Sequence, residues 1–361
     1  MRWPKYVALP VLGLAFVSLL PLLCSAQGSG SVHLKRYAMG TVFEIVVYDD
    51  DSTKAEAAAH AALDEAVRLD RMMSNYKADS ELSQMNRSAH FQPVRISREL
   101  YDIIEQSLSY SRVSGGQFDI SVGPLVDLWK AALAGGPIPS ADEQTAARGC
   151  VGYQQIELLP PDRIQFLSNC MRLDLGSIGK GYAVDRMVEL LKARGIRRAY
   201  IDAGGSTIYG LGYPKSANAW RVRLRDPSGK LFPQTSLMNS SVSTSEQSAP
   251  SPLQGDAPGH IVLPGTGKPL QTRNTVSVTA QSATASDALS TTLLLLGPTK
   301  GAALLKTLHG ISAIWIDPDG QRLVAGDSAV FHLSGEQQST RTSQPAKAAV
   351  EMSNTRQDSP R

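Results

Sequence analysis

The segment Asp174-Leu175-Gly176-Ser177-Ile178-Gly179-Lys180-Gly181 constrains this chain more than any other. Arg172–Leu175 leads into it and reads as a strand. Residues 179–194 leave it with helical periodicity, and Gly195 suits the helix C-terminus. Arg198–Asp202 reads as the next strand, so the sequence predicts a strand–helix–strand unit with glycines at both junctions. Such a junction lets backbone N–H groups and a lysine approach a phosphate. The spacing is not that of a Walker A loop, and the GxGxxG order of a dinucleotide fingerprint is missing. A ligand cradle and a plain tight turn both fit these residues.

The rest of the chain is globular in character. At 42% hydrophobic and 19% charged residues, it is not a disordered, collagen-like or polytopic membrane sequence. Its net charge of +3 comes from scattered Lys and Arg, which argues against a nucleic-acid partner. Residues 1–26 have the layout of a signal peptide. Arg2 and Lys5 precede an apolar run, Val7–Leu23, broken by Pro10, Gly13 and Pro21, and the small residues Cys24-Ser25-Ala26 follow. The expectation is export to the periplasm. A retained anchor is the alternative, disfavoured by two prolines in a short span. Lipidation at Cys24 is a further one, although Leu23 stands where lipoprotein signals usually carry Gly or Ala. Anchoring to the inner membrane is thus left open. Cys150 and Cys170 can pair in an oxidising compartment or stand as two separate buried thiols.

Residues 27–33 read as a short linker, 34–333 as a single large domain, and 334–361 as a disordered tail without Leu, Ile or aromatic residues. Within the domain, Val42–Tyr48 is a predicted strand and 53–73 a helix. Ser97 is an N-cap for a second helix, and 238–259 is a long Ser/Pro/Gly-rich loop. Ser286 is expected to cap a helix that buries Leu289, Leu293 and Leu296. Asp317-Pro318-Asp319-Gly320 marks a hairpin.

Three further groups can carry chemistry. Asp287 and Thr291 are four residues apart, on one helical face opposite the leucines. A carboxylate with a hydroxyl suits Mg²⁺, or equally a first-turn acid and a solvated threonine. Ser114-Gly115-Gly116-Gln117-Phe118-Asp119 can hold a planar ligand or form a turn over a buried ring. His260, at the edge of the long loop, can act as a base near neutral pH, as any of six histidines can.

In this order the segments resemble the FAD:protein FMN transferase family, also called the ApbE family. The likeness is carried by Met39-Gly40-Thr41, Asp70–Tyr76, Ser80-Glu81-Leu82 with Asn86, Phe118–Leu125 with Trp129, and Leu173–Asp185. Gly204-Gly205, Trp220 through Asp226-Pro227, Thr244-Ser245, His260-Ile261, Thr266-Gly267 and Ser286–Thr291 complete it. The resemblance spans about residues 34–333 and implies an α+β fold of mixed sheets with packed helices. It implies Mg²⁺-dependent transfer of FMN from FAD to a threonine hydroxyl of a target protein, with release of AMP. Targets in the family are typically subunits of membrane redox complexes, such as Na⁺-translocating NADH:quinone reductase and the Rnf complex.

Residue by residue, Met39, Tyr76, Gln117, Phe118, Asp119, Asp174, Lys180 and Ile261 match flavin-nucleotide contacts. Asp287 and Thr291 match metal ligands, Ser177 a position supplying oxygen from the glycine turn, and Ser290 a neighbour. His260 matches the base toward the acceptor threonine. Departures from the family pattern are Glu246 for the usual Gly, Leu263 for an acid, and Ser206 for the final acid of the Gly-Gly turn. They keep two alternatives in view: a pyrophosphatase splitting FAD to FMN and AMP, and a non-catalytic FAD-binding protein.

Overall fold

A computed structural model describes residues 30–247 and 259–333. The signal segment with Cys24, residues 248–258 and the tail 334–361 lie outside the described residues. The chain starts with a hairpin, β1 (Ser31–Ala38) and β2 (Thr41–Tyr48), closed by Met39 and Gly40 with φ of 51° and 76°. Two left-handed residues are what the twist of a two-residue hairpin demands. β1 therefore begins inside the stretch expected to be linker. Next come α1 (Ser52–Met73), α2 (Glu81–Ser88), β3 (Val94–Arg95), α3 (Arg98–Val113), α4 (Gly123–Leu133), α5 (Ala141–Gly149), β4 (Ile156–Leu159) and β5 (Arg163–Phe166). The second half holds α6 (Gly179–Ala193), β6 (Arg198–Ala203), β7 (Thr207–Leu211), β8 (Trp220–Arg225), β9 (Leu231–Leu237), β10 (Ser240–Glu246), β11 (Thr275–Ala280), α7 (Ala283–Leu305), β12 (Ser312–Ile316), β13 (Arg322–Ala325) and β14 (Phe331–His332).

Eight strands pair in the order β1-β2-β6-β7-β10-β11-β12-β13, each neighbour antiparallel. Helices α1, α6 and α7 pack together on one face, and the small sheet β14-β9-β8 covers the other. Strand alternation divides the two cores. In β6, Ala199, Ile201 and Ala203 join Phe43, Leu63 and Met187 under the helices, while Tyr200 turns to Trp220, Val222 and Ile314. The α+β class holds, with antiparallel ladders.

Several local expectations need correction. Arg172–Leu175 is extended but forms no ladder; its one bridge is Arg172 with Val122. It is held instead by buried Asn86, which accepts from Leu173 N–H (2.8 Å) and donates to the Leu173 carbonyl (3.0 Å). Asp174 N–H donates to the Ile120 carbonyl at 2.7 Å. The loop expected over 238–259 contains β10, in which Ser241 and Ser243 are buried while Glu246 is exposed. The cap of α7 is Ser282, not Ser286. Asp287 consequently sits in the second turn, beyond the strongest influence of the helix dipole. Asp185 of α6 completes that cap, accepting from Ser282 Oγ, Ala283 N–H, Thr284 N–H and Thr284 Oγ at 2.6–2.8 Å. Both helix faces around Asp287 are buried, so the carboxylate faces β7 and α6, not water. Cys150 and Cys170 are disulfide-bonded, with Cα atoms 5.2 Å apart.

Candidate functional site

The strand pairing brings distant motifs to one end of the large sheet. Phe43 opposes Ala203, so the Met39-Gly40 turn and the Gly204-Gly205 turn lie on neighbouring hairpins. Beyond the second turn, Thr207 starts β7 and reaches α7, where its hydroxyl donates to Asp287 Oδ1 at 3.2 Å. Asp287 Oδ2 accepts Gly181 N–H at 2.8 Å. Gly181 is required here, because a Cβ would lie 2.7 Å from Asp287 Cβ. The glycine turn thus lets the starts of α6 and α7 touch.

Asp287 is only 5% exposed. Gly181 N–H and the Thr207 hydroxyl, which hydrogen-bond to it, are neutral donors, and no ion pair closes on it among the described residues. Burial pushes its pKa up, against the lowering influence of Lys180, Gly181 and Thr207. A buried carboxylate in this state is an incomplete arrangement that a cation would complete. Thr291 and Ser290 stand one turn on. Ser245 Oγ lies 2.8 Å from Ser290 Oγ and 3.1 Å from Thr291 Oγ1, and Ser290 Oγ donates to the Asp287 carbonyl at 2.9 Å. Ser177 is half-buried in the turn that starts α6, where the Leu175 carbonyl accepts from Ile178 and Gly179. Asp287, Thr291 and Ser177 are all oxygen donors, a set that fits a hard divalent cation. Among the described residues no group of three or more His, Cys, Asp and Glu side chains gathers, so the only charged donor in this set is Asp287.

Lys180 ties the site together electrostatically. Its charge acts on Asp287 and on His260, whose pKa is lowered by surrounding protein and then by that lysine. His260 is exposed by surface area, so crowding on its flank, not enclosure, depresses it. Next to it, Ile261 is clamped by Gln247. The side-chain amide accepts Ile261 N–H (2.9 Å) and donates to the carbonyls of Ile261 (3.1 Å) and Leu270 (2.8 Å). Gly259 passes so close to Gln247 that a Cβ would overlap it. The following turn is docked through Trp129 Nε1–H to the Gly267 carbonyl at 2.8 Å.

The remaining predicted contacts also have structural partners. Phe118 is 1% exposed and meets Tyr110 edge-on, so its ring is part of the core. Asp119 is buried with its pKa raised by that burial; it accepts from Ser121 and from Tyr153 N–H, fixing a turn. Gln117 is half-buried beside them. Asp174 Oδ1 accepts Gly176 N–H at 2.7 Å, shaping the glycine turn from within. Met39 keeps its left-handed backbone at the hairpin tip, and Tyr76 is 81% exposed with Lys130 Nζ 4.7 Å from its ring. Sequence reasoning singled out neither Thr207 nor Gln247, and it gave Ser245 and Asp185 no role beyond their place in the family likeness. The alternation Ser241, Ser243, Ser245 was the available signal for a strand with a hydroxyl face.

The ApbE family model matches residues 39–315. A FAD:protein FMN transferase of Treponema pallidum (strain Nichols) is 32% identical over 330 residues, covering 83% of this chain and 90% of the relative. One from Klebsiella pneumoniae (strain 342) is 30% identical, covering 82% and 87%. Among solved structures, the apo form of Pseudomonas stutzeri flavinyl transferase ApbE superposes with a TM-score of 0.72 at 26% identity, over 82% of this chain and 94% of that one. A histidine-to-glycine variant of the flavin transferase ApbE from Vibrio cholerae gives 0.71 at 25% identity, over 82% and 97%.

Proposed function

This chain belongs to the ApbE family, and on that premise we propose that it is a Mg²⁺-dependent transferase moving FMN from FAD to a threonine hydroxyl of an exported acceptor protein, with release of AMP. The observation that carries the reading is the buried Asp287 carboxylate, held by neutral donors where α6 and α7 meet, beside Thr291, Lys180 and His260. Asp287, Thr291 and Ser177 would hold the cation, which supplies charge neutralisation to the pyrophosphate. Lys180 and the glycine turn add positive potential on the same side.

His260 accepts the proton of the acceptor threonine as its oxygen attacks the FMN-side phosphorus. The phosphoanhydride bond to AMP breaks, and AMP leaves. A histidine with a lowered pKa is neutral, and so able to accept a proton, at neutral pH. Positioning and charge balance govern phosphoryl transfer, and Gln247 supplies positioning by locking the backbone beside His260. The acceptor class we infer is a subunit of a membrane redox complex. Export to the periplasm is supported by the Cys150–Cys170 bond, since disulfides persist in oxidising compartments.

The test mixes the chain from Gln27 with FAD, Mg²⁺ and an acceptor domain carrying a flavinylation threonine, then weighs the acceptor by mass spectrometry. The expected result is a Mg²⁺-dependent gain of one FMN. FMN and AMP appearing without a labelled acceptor across several candidate domains would overturn transfer in favour of hydrolysis.

A further inference from the structure

β10 carries Ser241 and Ser243 on the face that meets α7, and both are sealed from water together with Thr207 and Ser286, none more than 1% exposed. Four buried hydroxyls invite an account of where each proton goes, because a hydroxyl has one proton to give and two lone pairs to receive with. An ionised Asp287 can only accept. Thr207 therefore spends its proton on Oδ1 at 3.2 Å. Ser243 donates to Thr207 Oγ1 at 3.1 Å, which leaves Ser243 as the acceptor toward Ser286, 2.7 Å away. Ser241 lies 2.9 Å from Ser286, but its proton goes to the Ile208 carbonyl at 2.8 Å, so the row of donors starts at Ser286. Ser286 also has the Ala283 carbonyl within 3.1 Å, so the reverse direction has an acceptor as well. The carboxylate's charge selects the direction.

We propose that Thr207, Ser243 and Ser286 are positioning residues: a one-directional hydroxyl chain that fixes the orientation in which Asp287 faces a divalent cation. This rests on the Mg²⁺ reading above. Thr207 holds Oδ1 and Gly181 N–H holds Oδ2, each using one lone pair and leaving another for the cation. Successive donors polarise one another toward the carboxylate. A carboxylate tied at one oxygen only is free to swing about its last torsion, which is broad and soft.

Thr207→Val keeps the side-chain shape and removes the proton, while Thr207→Ser keeps the proton. Mg²⁺ binding to the FAD-free mature protein, followed by isothermal titration calorimetry, should weaken about tenfold in Thr207→Val, the scale of one hydrogen bond to a charged group. Thr207→Ser should return to within about threefold of wild type. A second measurement needs no metal: urea unfolding of the apo wild type, Thr207→Val, Asp287→Ala and the double variant. The midpoint shift caused by Thr207→Val should at least halve, roughly, once Asp287 is gone, because the two groups are coupled. Wild-type Mg²⁺ affinity in Thr207→Val, or equal midpoint shifts in both backgrounds, would overturn the proposal. If the wild type itself binds no Mg²⁺, the metal reading falls, and the apo cycle alone decides whether the chain orients Asp287.

Discussion

A methyl group at Gly181 probes how the site is built. Its Cβ would lie 2.7 Å from Asp287 Cβ and 2.7 Å from the Ala283 carbonyl carbon, where carbon contacts rest at about 3.5–4.0 Å. Both obstacles belong to the stiff first turns of α7, so Gly181→Ala must push α6 and α7 apart by about 1 Å. Over-packing of this kind costs about 1–3 kcal/mol. The same shift stretches the 2.8 Å bond from Gly181 N–H to Asp287, and weakening a bond to a charged acceptor adds about 1 kcal/mol. Reduced freedom of the unfolded chain offsets about 0.4–1 kcal/mol. The net expectation is a loss of about 2–3 kcal/mol. Urea unfolding followed by circular dichroism measures it, with Gly149→Ala as the control, since a Cβ there meets nothing within 4 Å. The control should match wild type or gain about 0.4–1 kcal/mol from the reduced freedom of its unfolded chain. A Gly181→Ala midpoint matching wild type at unchanged slope would refute the close-approach reasoning outright.

Asp287→Ala should abolish Mg²⁺-dependent transfer while the apo protein unfolds at or above the wild-type midpoint, because the cost of burying the charge goes with it; persistent activity at saturating Mg²⁺ removes Asp287 from the metal site. His260→Ala should slow transfer and leave FAD affinity intact, as read by flavin fluorescence quenching; lost FAD binding would make His260 a ligand contact instead. With its pKa lowered from the ordinary value of 6.5, wild-type kcat/KM should hold down to pH 6.5 and fall only as the pH drops through the lowered value; a fall that begins above pH 7 contradicts a depressed base. Cys150→Ser with Cys170→Ser opens a cross-link spanning 20 residues, which should lower stability by about 3 kcal/mol; an unshifted unfolding midpoint under reducing conditions would deny it that role.

What the sequence made legible was local. Ser97 accepts Leu100 N–H and caps α3 as its composition predicts. The helix expected over 179–194 appears as Gly179–Ala193, and the Asp317–Gly320 turn closes β12 onto β13. In each case the deciding interactions lie within a few residues of one another. Illegible features were those settled by partners far along the chain. Arg172–Leu175 carries a strand pattern, but its hydrogen bonds go to Asn86 and Ile120. Phe118 and Asp119 have the chemistry of a ligand contact, and their packing against Tyr110 and Tyr153 shows that the side chains also serve the fold. For the candidate site, spacing paired Asp287 with Thr291. The burial of Asp287, and the approach of Thr207 and Gly181, depend on sheet order that no local pattern encodes.

β10 shows why the hidden part was hidden. Ser240-Ser241-Val242-Ser243-Thr244-Ser245 is too polar to read as a central strand of an eight-stranded sheet, since such strands are usually apolar on at least one face. Its inward residues meet Ser286, Ser290 and Thr291 rather than leucines. An apolar β10 would pack α7 as tightly, but it would remove the donors behind Thr207 and leave Asp287 among groups that cannot support a charge. The same carboxylate that raises the cost of this core therefore explains its composition. Serine replaces valine along that strand because the helix it faces carries a charged group where a soluble core would place an aliphatic one.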